Sequence, residues 1–193
     1  MASARRNPVA GRTRPESSTE DSPLQKRRPN GNSPAPLYTA EERVRRDASP
    51  WTLVQGVLAP LQFVVFMISL ALVLRYLASG DGQFAATASI VVKTVVLYTI
   101  MVTGSIWEKD VFGRYLFARP FFWEDAVSMV VLALHTAYLA ALLTGFVETR
   151  QQMYLALAAY CTYVINATQF VLKLRAARKD LSQAPAGLVA VGE

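Results

Sequence analysis

Four carboxylates crowd into a short stretch that separates two strongly apolar segments: Glu108 and Asp110 on one side, Glu124 and Asp125 on the other. Carboxyl groups placed where an apolar segment meets water are suited to general acid and base work, because partial burial brings their proton affinity towards neutrality. The chain's single histidine, His135, falls near the middle of the second of those apolar segments, and Lys93 lies inside the first. Ionisable groups inside a membrane-length apolar run are costly and mark functional positions. For His135 the competing reading is a satisfied packing histidine. For Lys93 it is a stem that reaches back to the far interface. For Glu124 and Asp125 it is attraction to the positive end of a helix, which does not serve Glu108 at a helix C-terminus.

Polar residues also recur at helical spacing. Gln55, Gln62, Ser69 and Tyr76 repeat every seven residues. Three further stripes keep a four–three alternation: Thr94, Tyr98, Met101, Ser105 and Glu108; Glu124, Ser128, Val131, His135 and Tyr138; Thr162, Asn166, Gln169 and Lys173. Such spacing gathers side chains on one face of a helix. For the serines and Thr162 the plain reading is hydrogen-bonded packing between membrane helices, worth about 0.6–2 kcal/mol each.

The elements that must carry these residues are four apolar runs, roughly Trp51–Leu77, Ala85–Trp107, Ala126–Val147 and Gln152–Leu172. Each is close to the ~20 residues that cross a bilayer core as a helix. With 52% hydrophobic residues concentrated after Trp51, a chain this short has no interior large enough to bury them in water. Backbone groups in lipid must be paired internally, so the fold class is all-α, an integral membrane four-helix bundle. Pro60 interrupts the hydrogen-bond ladder of the first span at the carbonyl of Gly56.

Ahead of the spans, residues 1–37 are rich in Pro, Ser, Gly, Asn and Arg, and read as a disordered tail. Tyr38–Asp47 reads as a short surface helix capped by Thr39 with Glu41 and Glu42 behind it. The bundle is expected over 38–180 and a short C-terminal tail over 181–193. No apolar h-region follows the basic N-terminus, so the first span itself is expected to act as the insertion signal.

Basic residues gather in the tail, in the middle connector Glu108–Asp125 (Lys109, Arg114, Arg119) and in the C-terminal run Lys173–Lys179. The positive-inside rule places all three in the cytoplasm, and the interfacial Trp51, Trp107 and Trp123 fit that placement. The net charge of +6 therefore reflects topology and anionic lipid rather than nucleic acid. One cysteine and one histidine exclude an intrachain disulfide and a Cys/His zinc site. GxGxxG, Walker A, HExxH and GxSxG patterns are missing, and no internal repeat of the kind common in transporters stands out.

The segments IWEK, RYLFA, FFWED, LALHTAYLAALLTG and INATQF, within a stretch from about Tyr38 to Arg178, resemble the 3-vinyl (2-vinyl) bacteriochlorophyllide hydratase family. Asp110 and Arg119 depart from the apolar or small residues expected there. The resemblance implies a hydro-lyase of bacteriochlorophyll synthesis that adds water to the C3-vinyl group of chlorophyllide a or a related tetrapyrrole. The product is the 3-(1-hydroxyethyl) derivative. No cofactor is implied, since magnesium arrives with the substrate, and the setting is the bacterial inner (intracytoplasmic) membrane, with lipid and other enzymes of the pathway as expected partners.

Set against that chemistry, Glu108, Glu124 and Asp125 are the acid–base candidates. His135 is a candidate either for axial ligation of the magnesium or for proton transfer. Gln62, Tyr98, Tyr138 and Asn166 are suited to position water or macrocycle oxygens, and Arg114 and Arg119 to hold a propionate. Two other classes fit the residues less well. A non-catalytic pigment-binding or assembly subunit has no use for interfacial carboxylates, and a small transporter lacks the repeat.

Overall fold

The computed structural model describes residues 37–183, with side chains through Arg178. The expected N-terminal tail lies outside that range, as does most of the expected C-terminal one. Five helices follow in order: α1 (Ala40–Ala48), α2 (Pro50–Ser79), α3 (Gln83–Phe112), α4 (Phe122–Thr144) and α5 (Thr149–Gln183), with one 3-10 turn at Arg119–Phe121 before α4. The described residues contain no strand. α2 to α5 are all long and apolar enough to cross a membrane. Thirty residues rise about 45 Å at 1.5 Å per residue, more than the ~30 Å core, so α2 and α3 extend into the interfacial layers or tilt.

Local chemistry explains the boundaries. Thr39 and Glu42 form a reciprocal capping box at the start of α1. Pro50 sits in the first turn of α2, where a missing N–H costs nothing. α2 then runs unbroken through Pro60, which lies on the exposed face. α3 continues past the apolar run because Glu108, Lys109 and Asp110 are all tolerated in a helix end that has left the hydrocarbon. It stops where Gly113 turns left-handed (φ +77°) and donates its N–H to the carbonyl of Lys109. The connector expected over Glu108–Asp125 therefore shrinks to Gly113–Ala118 and the short turn after it.

The spans pair as two antiparallel hairpins. α2 packs along α3 and α4 along α5, whereas the contacts that join one hairpin to the other, α2 with α5 and α3 with α4, are sparser. Between 17% and 28% of the residues in the apolar window of each span are buried. The remainder presents Phe63, Ile68, Leu74, Val95, Val130 and Ile165 outward, as a bundle solvated by lipid requires.

Side-chain hydrogen bonds fix the register. Ser69 bonds Ser89 at 2.8 Å and Tyr160 at 2.5 Å, tying α2 to α3 and α5 at one depth. Gln55 donates to Thr103 (2.8 Å) and Trp107 to Thr52 (2.9 Å) nearer the basic end. Asn166 donates to Ser128 (2.8 Å) between α5 and α4. At the basic end a second apolar cluster of Tyr38, Val111 and Phe121, flanked by Trp107, Phe112 and Phe170, seats the beginning of α1 on the bundle. The Tyr38 ring stacks on Phe112 at 5.8 Å, and the Arg46 guanidinium lies over the same ring, 4.9 Å from its centre.

Candidate functional site

The basic end holds the carboxylates, and the phase of two helices decides how they pair. Glu108 lies in the last turns of α3 and Asp125 in the first turn of α4. Successive backbone amides of the connector hold the two carboxyl groups side by side, and the residues are only 6% and 3% exposed. Two carboxylates this close and this dry repel each other when both are charged, so the arrangement favours one proton shared across the pair. The connector folds over it. Asp125 accepts from the backbone N–H of Phe117 at 2.7 Å and Glu108 from that of Ala118 at 3.3 Å. To aim two successive amides at two different carboxylates, Phe117 adopts a left-handed backbone (φ +59°). That conformation is unfavourable for a bulky residue, at about 1–3 kcal/mol.

Glu124 has a different partner. It pairs with the Lys173 ammonium of α5 at 2.5 Å, and the same ammonium donates to the carbonyl of Pro120 and lies 5.0 Å from the centre of the Phe121 ring. Lys173 thus fastens the end of α5 to the start of α4. Asp110 accepts from the hydroxyl of Ser49 at 2.6 Å, which holds the α1–α2 junction against α3.

From the carboxyl pair a column of polar atoms runs inward between the hairpins. Asn166 Oδ1, Gln169 Oε1, both amide atoms of Gln62, Lys93 Nζ, His135 Nε2 and the Tyr138 hydroxyl are buried with no hydrogen-bond partner. By the register of the inter-helix bonds, Gln62 falls level with Asn166 and Ser128, one turn inside Asp125. Lys93 lies about one turn further in and His135 about two. There His135, 0% exposed, packs its ring 5.9 Å from that of Tyr160. Lys93, also fully buried, does not reach back to an interface; its ammonium sits over Tyr163 (3.9 Å), with Tyr160 and Phe66 near 5.6 Å. Buried polar groups without partners are expensive, at about 1–3 kcal/mol each, and an orphaned set of them calls for an occupant.

Of the other residues singled out by sequence, Tyr138 is buried in the same interior, deeper than His135. Tyr98 turns aside and bonds the Thr136 hydroxyl at 2.8 Å in an exposed position. Arg114 and Arg119 are both exposed on the connector, at the same end as the carboxyl pair. The Glu124–Val131–His135–Tyr138 stripe is buried along its whole length, Ser128 included.

Sequence reasoning missed Tyr160 and Tyr163. The buried line of α5 contains Gln152, Ala156, Ala159, Tyr160 and Tyr163, a four–three alternation that continues to Asn166. Of the stripe read from Thr162, Asn166, Gln169 and Lys173 do turn inward or towards α4, and Thr162 does not. Thr162 itself bonds the carbonyl of Ala158 in its own helix. The signal was present in the paired small residues Ala156 and Ala159, which let a neighbouring helix approach.

These features define a multi-pass membrane protein with buried acids at one end and unpaired polar groups along its interior seam. Residues 38–176 match the model of the family described as 2-vinyl bacteriochlorophyllide hydratase. A protein of that name from Cereibacter sphaeroides is 68% identical over 148 residues, covering 77% of this chain and 92% of its own length. One from Rhodobacter capsulatus is 62% identical over 159 residues, covering 82% and 92% respectively. The chain belongs to the 2-vinyl bacteriochlorophyllide hydratase family and is a hydro-lyase of bacteriochlorophyll synthesis. No solved structure matches it.

Proposed function

We propose that the chain adds water across the vinyl group of a chlorophyllide-type tetrapyrrole, chlorophyllide a or its bacteriochlorin equivalent, with Glu108 and Asp125 as the acid–base pair. The observation that carries this reading is the pair of buried carboxylates held side by side by the successive Phe117 and Ala118 amides. The protonated member gives its proton to the terminal vinyl carbon. The resulting cation on the inner carbon is stabilised by conjugation with the macrocycle, and water attacks there. The proton that water loses goes to the other carboxylate. The carbon chain gains one water, giving a 1-hydroxyethyl group, and the pair ends with its single proton on the opposite member. Exchange along the contact restores it. A site shielded from bulk water keeps the cation from side reactions.

In this reading no organic or redox cofactor takes part, and magnesium belongs to the substrate. Gln62 and Asn166 offer polar atoms to the attacking water or to macrocycle oxygens, and Tyr138 does so more deeply. The exposed Arg114 and Arg119 are placed to meet a propionate at the rim. The carboxyl end faces the cytoplasm, because Arg43, Arg45, Arg46, Lys109, Arg114, Arg119, Arg175 and Arg178 accompany it, against Arg75 and Arg150 at the other end. The membrane is then the bacterial inner or intracytoplasmic one, where lipid and other enzymes of the pathway surround the bundle.

The test is conversion in isolated membranes supplied with chlorophyllide a without oxygen. The product should be heavier by one water and have a blue-shifted long-wavelength band. Glu108→Gln and Asp125→Asn should each lower turnover by about 10²–10⁴-fold without loss of insertion. Glu124→Gln should lower it less and act chiefly through thermal stability, since it cuts the tie to Lys173. Near-normal turnover in both Glu108→Gln and Asp125→Asn would reject the carboxyl pair. Stable pigment binding with no conversion by the unmodified protein would favour a pigment-holding subunit.

A further inference from the structure

We propose that His135 is the axial ligand of the substrate's central magnesium, so that the macrocycle stands on edge in the seam between the hairpins with its vinyl edge towards Glu108 and Asp125. The proposal rests on the hydratase reading for its ligand and settles which of two roles His135 plays.

The ring's hydrogen bonding carries the argument. His135 Nδ1 lies 2.8 Å from the carbonyl oxygen of Val131, one turn back on α4. A carbonyl only accepts, so Nδ1 is the nitrogen that bears the hydrogen. In the neutral ring Nε2 is then a bare lone pair, and it is buried with nothing to accept from. An imidazole whose other N–H is anchored on a backbone carbonyl is the arrangement that metal-ligating histidines adopt, because the anchor fixes both tautomer and ring orientation. Among the described residues no three His, Cys, Asp or Glu side chains gather to hold a metal ion. A lone imidazole therefore suits a metal that brings its remaining ligands with it, as a tetrapyrrole does.

The surroundings fit the rest of such a ligand. Asp125 and His135 are ten residues apart on α4, a rise of about 15 Å. That is the order of the span from a central metal to a peripheral substituent once the two reaching side chains are included. The level between them holds the unpartnered Gln62 and Asn166 atoms, and Lys93 Nζ beside His135 offers a donor without an acceptor. The faces of the seam supply Phe66, Tyr160 and Tyr163, whose rings suit a flat conjugated partner. Over their whole length the hairpins touch each other less than the helices within each do, so parting them disrupts less packing than opening either hairpin.

The experiment compares binding of chlorophyllide a with its magnesium-free counterpart, in detergent-solubilised full-length protein, by titration and by the absorption band that reports magnesium coordination number. Wild type should prefer the magnesium form by roughly ten-fold or more, with the band of an axially ligated metal. His135→Ala should abolish the preference while still binding pigment, and added imidazole should restore the band. Equal affinity for the two pigments in wild type overturns the ligation, as does a preference that survives His135→Ala. The wild-type comparison needs no variant to fold. Metal preference without hydration would reject the hydratase reading and keep the ligand; hydration without metal preference would reject the ligand alone.

Discussion

Glu124 and Asp125 are neighbours in the chain, yet they point to different partners because adjacent helical residues are turned by about 100°. Which of them would meet Glu108 depends on the starting phase of α4, set by the turn Arg119–Phe121. That phase is not written in the spacing of the carboxylates, so the sequence places all three in one region without resolving the pair. The clasp over the pair was equally hidden, since it is made of backbone N–H groups. It does yield a prediction at this scale. Phe117→Gly keeps the N–H and relaxes the φ +59° conformation, and should leave turnover within a few-fold of wild type. Phe117→Pro removes the donor to Asp125 and fixes φ near −65°, and should depress turnover at least ten-fold while the helices still insert. Turnover assays alongside circular dichroism would separate the two. Equal activity in both variants would mean that the amide does not hold Asp125.

At the scale of elements, the existence of four spans and the buried face of α4 were legible, because an apolar run of membrane length and a strict four–three stripe leave little freedom. The face of α5 was legible at Asn166, Gln169 and Lys173 and missed at Thr162. The rest of that face is lined by small and aromatic residues, Ala156, Ala159, Tyr160 and Tyr163, which polarity alone does not pick out. The middle connector was overestimated because helices persist beyond the hydrocarbon until a glycine stops them, as Gly113 does. What joins the hairpins could not be anticipated from either one. The bond from Ser69 to Tyr160 unites residues far apart in the chain. Ser69→Ala and Tyr160→Phe should each cost about 0.6–2 kcal/mol in reversible unfolding from micelles. The double variant should cost less than the sum, since both remove one shared contact. Strict additivity would show that the bond does not couple the hairpins.

The molecule as a whole is asymmetric end to end. One end carries α1, the aromatic seat of Tyr38 and Phe121, the basic residues and the acid pair. The other is two short turns, closed by glycines at 80, 82 and 145 with positive φ. The proposed orientation is testable in a background where Cys161, the sole cysteine, is replaced by serine. With an impermeant thiol reagent on intact spheroplasts, Asp81→Cys should label, whereas Arg114→Cys should label only after permeabilisation. The reverse pattern would invert the topology and put the acid pair on the outer side.

The division into two hairpins also bears on how the chain enters the membrane. Lys93 belongs to the first hairpin and His135 to the second, so at the moment α2 and α3 are inserted, the groups that will later surround Lys93 have not been made. Its ammonium must wait in lipid, drawn along its stem towards a headgroup layer, until α4 and α5 arrive. Arrival of the second hairpin then pulls that charge inward onto the rings of Tyr160 and Tyr163. The seam is then a surface that forms only once both hairpins are in place, and opening it sideways to the bilayer would leave each hairpin's own packing intact. A greasy substrate dissolved in that bilayer would need no passage through water to enter.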